Sequence, residues 1–142
     1  MPKAEGVTIM KRFHLEIATP DGICFAGEAE SILIHTDDGD VEILAGHADF
    51  LASVATGRAR ILIDGKSRYA SASGGFISVS PAGVKVAAIT FEFADQIDTK
   101  RAEAAKERAE AAISSAGDAA SIELAKAKLA RALNRINIAG MK

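Results

Sequence analysis

The chain is poor in cysteine and lacks long apolar runs, and each shortage excludes a class of protein. Cys24 is the only cysteine among 142 residues, so no internal disulfide can form, and a cytosolic compartment is expected. No apolar run reaches about 18 residues, so no membrane-spanning helix is predicted. The first residues, MPKAEGVTIMKRF, lack the apolar centre of a signal peptide. Secretion is therefore not expected.

The C-terminal third contains no aromatic residue, and the last aromatic residue along the chain is Phe93. That third is nevertheless basic: residues 99–142 hold nine Lys and Arg against five Asp and Glu, whereas residues 1–98 hold eight against fourteen. Without aromatic side chains to stack on bases, the basic tail is not expected to bind nucleic acid. Its charge predicts contact with an acidic surface, with a solvated pair of helices as the alternative.

Motifs for catalysis and for metal binding are also missing. The segment DGKS (64–67) ends like a phosphate-binding loop, but Arg60 stands where that motif needs glycine, so a hairpin turn is predicted. Asp37, Asp38 and Asp40 lack the alternate spacing of a calcium loop. The three histidines have no metal-ligand spacing, and no nucleophile motif occurs. We predict no catalytic residue, no metal site and no required cofactor.

Short apolar or alternating segments of strand length fill residues 1–95. We predict strands over 13–19, 29–36, 59–64, 68–73, 76–80 and 84–93. Tight-turn pairs such as Asp38-Gly39 and Gly74-Gly75 separate them. The segment 43–57 has no clean period and is predicted as a loop over the core. The first domain is therefore expected to be mostly β, an antiparallel sandwich or small barrel.

Strong helix formers dominate after this region. Asp98 is the predicted N-cap of a helix over about 99–115, and a Ser-Ser-Ala-Gly-Asp sequence ends that helix. Asp118 is the predicted cap of a second helix, which runs to about Ile138 and stops at Gly140. Two helices joined by so short a break predict an α-helical hairpin.

The hairpin forms the second predicted domain, residues 96–142. Its second helix has one apolar stripe, composed of Ile122, Leu129, Leu133 and Ile136. At about 100° per residue, Arg131 and Arg135 lie on the opposite face of this helix. The question is whether these arginines only solubilise the hairpin or bind a ligand.

Several segments in order carry a resemblance to a known family. They are TPDG (19–22), GDVEILAGH (39–47), SGGF (73–76), IDTKRAEAAKERAE (97–110) and LARALNRINIA (129–139). Together they resemble the epsilon subunit of bacterial F-type ATP synthase over nearly the whole chain. Glu42 and Ala45 depart from the family, which usually has glycine and proline at these positions.

The resemblance implies a non-catalytic subunit that couples rotation between the c-ring and the catalytic head. Its strand domain would bind the gamma subunit and the c-ring. Its hairpin would fold against the strand domain, or extend towards the alpha and beta subunits and inhibit ATP hydrolysis. The implied location is peripheral, at the cytoplasmic face of the bacterial inner membrane, without insertion. The implied contact residues are Thr36, Asp37, Asp38, Gly39, Asp40 and His47.

The resemblance also implies ATP as a regulatory ligand of the folded hairpin, which would relieve inhibition. The matching residues are Glu92, Ile97, Asp98, Arg101, Ala102, Arg108, Arg131 and Arg135. Arginine suits this role because it remains charged and binds phosphate through two parallel hydrogen bonds. In the alternative, Asp98 only caps its helix and Arg101 pairs with a nearby carboxylate. A free-standing nucleotide-binding module is the second function considered, and an independent enzyme has no support in the sequence.

Overall fold

The computed structural model describes residues 11–141, and in that part ten strands precede two helices. The strands are β1 (Phe13–Thr19), β2 (Gly22–Ala29), β3 (Ser31–Thr36), β4 (Gly39–Leu44), β5 (Phe50–Ser53), β6 (Gly57–Ile63), β7 (Lys66–Ser73), β8 (Phe76–Ser80), β9 (Gly83–Ala87) and β10 (Thr90–Phe93). A short 3-10 helix (Ala94–Gln96) leads into α1 (Thr99–Ser115) and α2 (Ala119–Ala139).

The strands form two five-stranded sheets. The first sheet has the order β2-β1-β9-β8-β5, and the second has the order β10-β7-β6-β3-β4. Neighbouring strands are antiparallel except β1 and β9, which are parallel. The predicted fold, a mostly β sandwich followed by a helical hairpin, is confirmed, and the parallel pair is the one departure from an antiparallel sandwich among the described strands.

Large aliphatic side chains from both sheets fill the space between them. The fully buried ones are Leu15, Ile17, Ile32, Ile34, Ile43, Ile61 and Ile77. They alternate with more exposed residues along each strand, because successive side chains point to opposite faces. The core therefore lies within the strand region and does not depend on either helix.

The segment 43–57 is not a loop, and the prediction was wrong there. It contains the end of β4, all of β5 and the start of β6. The strand β2 was also missed. All three strands, β2, β4 and β5, lie at sheet edges, where one side has no neighbour and little apolar surface is buried. These three edge strands therefore give a weak hydrophobic pattern, whereas the edge strand β10 buries Phe91 and Phe93.

The predicted strand 84–93 is two strands, β9 and β10, which belong to different sheets. The chain crosses between the sheets at Ala88 and Ile89. Gly75, in the SGGF segment, lies beside the end of β9: its φ is +85°, and an added Cβ would stand 1.8 Å from the carbonyl oxygen of Ala87. Only glycine fits this position without moving the backbone of β9.

Both predicted N-caps are confirmed. The Asp98 carboxylate accepts a hydrogen bond from the backbone N–H of Arg101 at 3.1 Å, and the Asp118 carboxylate accepts one from that of Ser121 at 2.7 Å. The hydrogen bonds from the Ser121 backbone and hydroxyl hold the pKa of Asp118 below its usual value.

The apolar stripe of α2 is not its most buried face. Leu133, in the predicted apolar stripe, is 46% exposed. The buried residues of α2 are Ala125, Ala132, Ile138 and Ala139, and they lie on the side of the helix that carries Arg135. A hydrophobicity pattern could not detect this face, because it consists of small residues and of a charged residue with a partner in the sheet.

Candidate functional site: a cleft between the hairpin and the second sheet

Helix α2 is attached to the second sheet by a polar contact and a small apolar cluster. The Asn134 amide nitrogen donates to the backbone oxygen of Gly57 and to the hydroxyl of Ser71, both at 2.9 Å. The cluster is formed by Ala94, Ile97, Ile138 and Ala139, against which Tyr69 and Met141 pack. These contacts fix the position of the hairpin over β6 and β7.

A cleft of about 560 Å³ lies between the hairpin and the edge of the second sheet. Strands β7 and β10 contribute Ser71, Ser73, Thr90 and Glu92; α1 contributes Ala105, Arg108, Ala109 and Ala112; α2 contributes Lys128, Arg131, Ala132 and Arg135. The strand residues are cross-strand pairs, Ser73 with Thr90 and Ser71 with Glu92. One wall of the cleft therefore presents hydroxyls and a carboxylate, and the other presents alanines and cations.

Glu92 and Arg135 form an ion pair across this cleft. Arg135 Nη2 donates to Glu92 Oε2 at 3.2 Å, and Arg135 Nε lies 2.7 Å from Glu92 Oε1 without the alignment of a hydrogen bond. The two side chains are 23% and 33% exposed. The pair joins β10 to α2, and it neutralises one of the four cations in the cleft.

The other three cations of the cleft are Arg108, Lys128 and Arg131. Within residues 11–141, none of them has a carboxylate oxygen within 4.0 Å. Like charges held in a partly enclosed space repel one another, and this repulsion is relieved by an anion. The cleft is therefore suited to a ligand that carries several negative charges.

The cleft brings together half of the residues implied by the resemblance to bind ATP: Glu92, Arg108, Arg131 and Arg135. The other four do not line it. Ile97 is buried in the apolar cluster, Ala102 is fully buried, and Asp98 caps α1. Arg101 is exposed, and its backbone rather than its side chain contacts Asp98.

The sequence analysis missed the cleft residues Ser71, Ser73, Thr90 and Lys128, and also Asn134, which attaches α2 to the sheet. A signal for two of them was present. In β7 serines occupy alternate positions, Ser71 and Ser73, and both are buried. Buried polar residues need hydrogen-bond partners, so their presence in a strand pattern indicates a polar contact on that face.

Five of the six residues implied to contact partners, Thr36 to Asp40, lie at the β3–β4 turn, and His47 follows the other end of β4. Asp37 and Asp38 are exposed and border a groove of about 570 Å³ that Phe50, Leu51 and Phe76 also line. His47 is exposed and meets Phe50 edge to face, with ring centroids 5.8 Å apart. Carboxylates and exposed apolar side chains therefore share this end of the sandwich.

The remaining turn residues have internal contacts. Thr36 is 2% exposed, and its hydroxyl donates to the Gly39 oxygen at 2.7 Å while accepting from the Asp38 N–H at 3.2 Å. Asp40 Oδ1 lies 2.8 Å from His35 Nδ1. Thr36 thus fixes the shape of the turn, whereas Asp37, Asp38 and Asp40 are exposed there.

Neither described helix is long and apolar enough to cross a membrane. Across residues 11–141, no three His, Cys, Asp or Glu side chains are grouped as metal ligands would be.

Two family profiles match the chain. The profile described as "ATP synthase, Delta/Epsilon chain, beta-sandwich domain" covers residues 12–94, and "ATP synthase, Delta/Epsilon chain, long alpha-helix domain" covers residues 95–140. The chain therefore belongs to the ATP synthase delta/epsilon family.

Within that family the chain is similar to bacterial epsilon chains. It is 38% identical to the ATP synthase epsilon chain of Bacillus velezensis, over 92% of this chain and 99% of that one. It is 39% identical to the ATP synthase epsilon chain of Ruminococcus albus, over 94% of this chain and all of that one. The resemblance noted in the sequence is confirmed.

The fold also resembles chains in solved mitochondrial ATP synthases. One, in the OSCP/F1/c-ring structure from Euglena gracilis, has a TM-score of 0.76 at 23% identity and covers all of this chain and 90% of its own. Another, in the central stalk/c-ring structure from Tetrahymena thermophila, has a TM-score of 0.64 at 14% identity. The match covers 93% of this chain and 99% of that one. At these identities the likeness concerns the fold.

Proposed function

We propose that this chain, an epsilon subunit of an ATP synthase, couples rotation between the c-ring and the catalytic head and restrains ATP hydrolysis through its hairpin. The subunit has no catalytic residue of its own and is peripheral, at the cytoplasmic face of the bacterial membrane. Support comes from the two family profiles and from bacterial relatives that match it over nearly their full length.

The groove beside the β3–β4 turn is the proposed contact with the gamma subunit and the c-ring. Leu51 is 71% exposed and Phe76 is 48% exposed, and both lie beside Asp37 and Asp38. Large apolar side chains exposed together favour a protein interface, with the neighbouring carboxylates as its polar rim. His47, next to Phe50, belongs to the same proposed contact.

The hairpin is proposed to have two positions, docked on the sandwich and extended towards the alpha and beta subunits, where it obstructs hydrolysis. ATP is proposed to bind the cleft of the docked form. The observation that carries this proposal is the convergence of Arg108, Arg131 and the Glu92–Arg135 pair in one cleft. Because strand and helix residues form the cleft together, a ligand held there stabilises the docked form and relieves inhibition.

Calorimetric titration of the isolated chain with ATP tests the nucleotide site. We expect binding that weakens about tenfold in Arg131→Gln and in Arg108→Gln, since each removes a charged hydrogen bond to phosphate. Lys126→Gln is the matched control, because Lys126 lies outside the cleft and 3.7 Å from Glu123 on the same helix. Absence of ATP binding by the unaltered chain at millimolar concentration would contradict a nucleotide role.

Hydrogen exchange tests the coupling between ligand and hairpin. With ATP present, amides of α2 should exchange more slowly, whereas amides of β1 and β8 should not change, since the core does not include the hairpin. Equal exchange of α2 with and without saturating ATP would contradict the proposed relief.

Deletion of the residues after Asp98 tests inhibition in the assembled enzyme. The sandwich should remain folded and attached, because its core lies upstream, and ATP hydrolysis should rise. Unchanged hydrolysis by a fully assembled enzyme would mean that the hairpin does not inhibit.

A further inference from the structure

Lys128 occupies a distinct position in the cleft. It precedes Arg131 by three residues and Arg135 by seven, so the three side chains follow one face of α2 and line the cleft together. At about 1.5 Å per residue, Lys128 and Arg135 are separated by about 10 Å along the helix axis. The cleft therefore has cations at successive positions along the wall that α2 forms.

The charge along this wall is uneven. At the Arg135 end, the carboxylate of Glu92 neutralises the guanidinium, and the hydroxyl of Ser71 lies nearby. At the Lys128 end, no carboxylate of residues 11–141 lies within 4.0 Å of the ammonium group. Arg131 lies between these ends on α2, and Arg108 reaches the cleft from α1. An elongated ligand would meet a neutral polar region at one end and unpaired cations at the other.

We propose that Lys128 binds the terminal phosphate of the nucleotide and thereby sets the preference for a triphosphate over a diphosphate or monophosphate. This inference rests on the proposed ATP site. The nucleoside would lie towards Glu92 and Thr90, where carboxylate and hydroxyl groups can form hydrogen bonds. Arg131 and Arg108 would bind the inner phosphates, and Lys128 would bind the last.

The chemistry of lysine suits this position. A terminal phosphate carries a charge of about −1.5 to −2 at pH 7, more than the inner phosphates of the chain. A lysine ammonium is a compact charge with three rotatable donors on a flexible stem, so it can follow the mobile end of a phosphate chain. The comparison with Lys126 is informative, because that lysine is two residues away, outside the cleft and beside Glu123.

The test is calorimetric titration with AMP, ADP and ATP for five chains: unaltered, Lys128→Gln, Lys128→Met, Lys128→Arg and the control Lys126→Gln. Lys128→Gln and Lys128→Met should bind ATP about fivefold more weakly, with ADP and AMP changed less than about twofold, so the ratio of ATP to ADP affinity falls. Lys128→Arg should keep most of the ratio, since the charge is retained. Far-ultraviolet circular dichroism confirms that each variant keeps its helices.

Other outcomes overturn the inference. Equal weakening of all three nucleotides would make Lys128 a contributor of general positive potential, and unchanged affinities for all three would remove it from the site. If Arg131→Gln loses ATP binding while Lys128→Gln keeps it, this inference fails and the proposed function stands. If the unaltered chain binds no nucleotide, this inference and the proposed ATP site both fail.

Discussion

The sandwich and the hairpin bury different kinds of side chain. Between the sheets the buried residues are mostly isoleucine, valine, leucine and phenylalanine. In the two helices they are Ala102, Ala109, Ala125, Ala132, Ile138 and Ala139, with one large residue among them. Full burial of an isoleucine contributes about 1.5–3 kcal/mol, whereas a single methyl group contributes about 0.8 kcal/mol.

The difference indicates which part of the molecule can move. Alanine lets the two helices approach closely, but its side chain is small. Little apolar surface therefore becomes exposed to water when the helices separate from each other or from the sheet. The polar contacts of Asn134 and Arg135 to the sheet can be replaced by water when the hairpin leaves. The hairpin is thus held to the sandwich by fewer apolar contacts than hold the two sheets together, and the two positions proposed for it require such an attachment.

The largest effect should come from the sandwich core. Ile77→Ala, at a fully buried position of β8, should lower the free energy of unfolding by about 2–5 kcal/mol through lost burial and the cavity left behind. Ile23→Ala is the control, because Ile23 of β2 is 66% exposed. Denaturant unfolding measures both, and a similar loss in the two variants would contradict the assignment of the core.

A smaller effect should follow from crowding the hairpin. Ala132→Leu places a large side chain where Ala132 is 2% exposed, and overpacking costs about 1–3 kcal/mol. The exposed Ala130 gives the matched control, Ala130→Leu. Hydrogen exchange should quicken in α1 and α2 of the first variant and stay unchanged in β1 and β8. Faster exchange throughout the sandwich would mean that the two regions unfold together.

The sequence predicted the fold where packing leaves a pattern. The strands β1 and β8 were predicted with their observed bounds, and both are inner strands of their sheet, with alternate residues buried. Both N-caps were predicted correctly because an Asp caps a helix through a hydrogen bond to a residue close to it in sequence. The edge strands β2, β4 and β5 were missed because burial, which creates the pattern, is low there. The parallel pairing of β1 with β9 joins distant segments and leaves no local signal.

The candidate site was predictable only in part. The arginines of the cleft were named through the resemblance, but the buried face of α2 does not coincide with its apolar stripe. Hydrophobicity favoured the face of Leu133, whereas Asn134 and Arg135 have partners on the sheet, Ser71 and Glu92. A polar residue that packs through a specific partner cannot be distinguished from a solvated one without the partner's position. For the same reason Asn134 was missed. Lys128 was missed because its place at the cleft depends on how the hairpin docks on the sheet.

The attachment of α2 through Asn134 gives a further test. Asn134→Ala removes two hydrogen bonds and leaves the buried Ser71 without that partner, which should weaken docking by about 1–3 kcal/mol. Asn137→Ala is the control on the exposed side of the same helix. Faster exchange of α2 amides in Asn134→Ala alone is expected, and ATP binding should weaken in parallel. Equal behaviour of the two variants would show that the amide is not part of the attachment.

The smallest effect should appear at the tip of the hairpin, as a dependence on pH. Hydrogen bonds from Ser121 lower the pKa of Asp118 below the value of 3.8 expected for the unfolded chain. Because the folded pKa is the lower one, the cap's contribution is complete above the unfolded value and is lost as pH falls through the folded value.

Amide exchange at the start of α2 should therefore show extra opening as the pH falls from about 5 to about 2, after correction for intrinsic rates. Asp118→Asn keeps a capping side chain without a titrating charge, so this extra opening should disappear in that variant. The strands β1 and β8, far from the tip in sequence and packed in the sandwich core, serve as the internal reference. If the start of α2 opened over the same pH range in both chains, the cause would lie in other carboxylates, and the tip would be no more acid-sensitive than the rest of the hairpin.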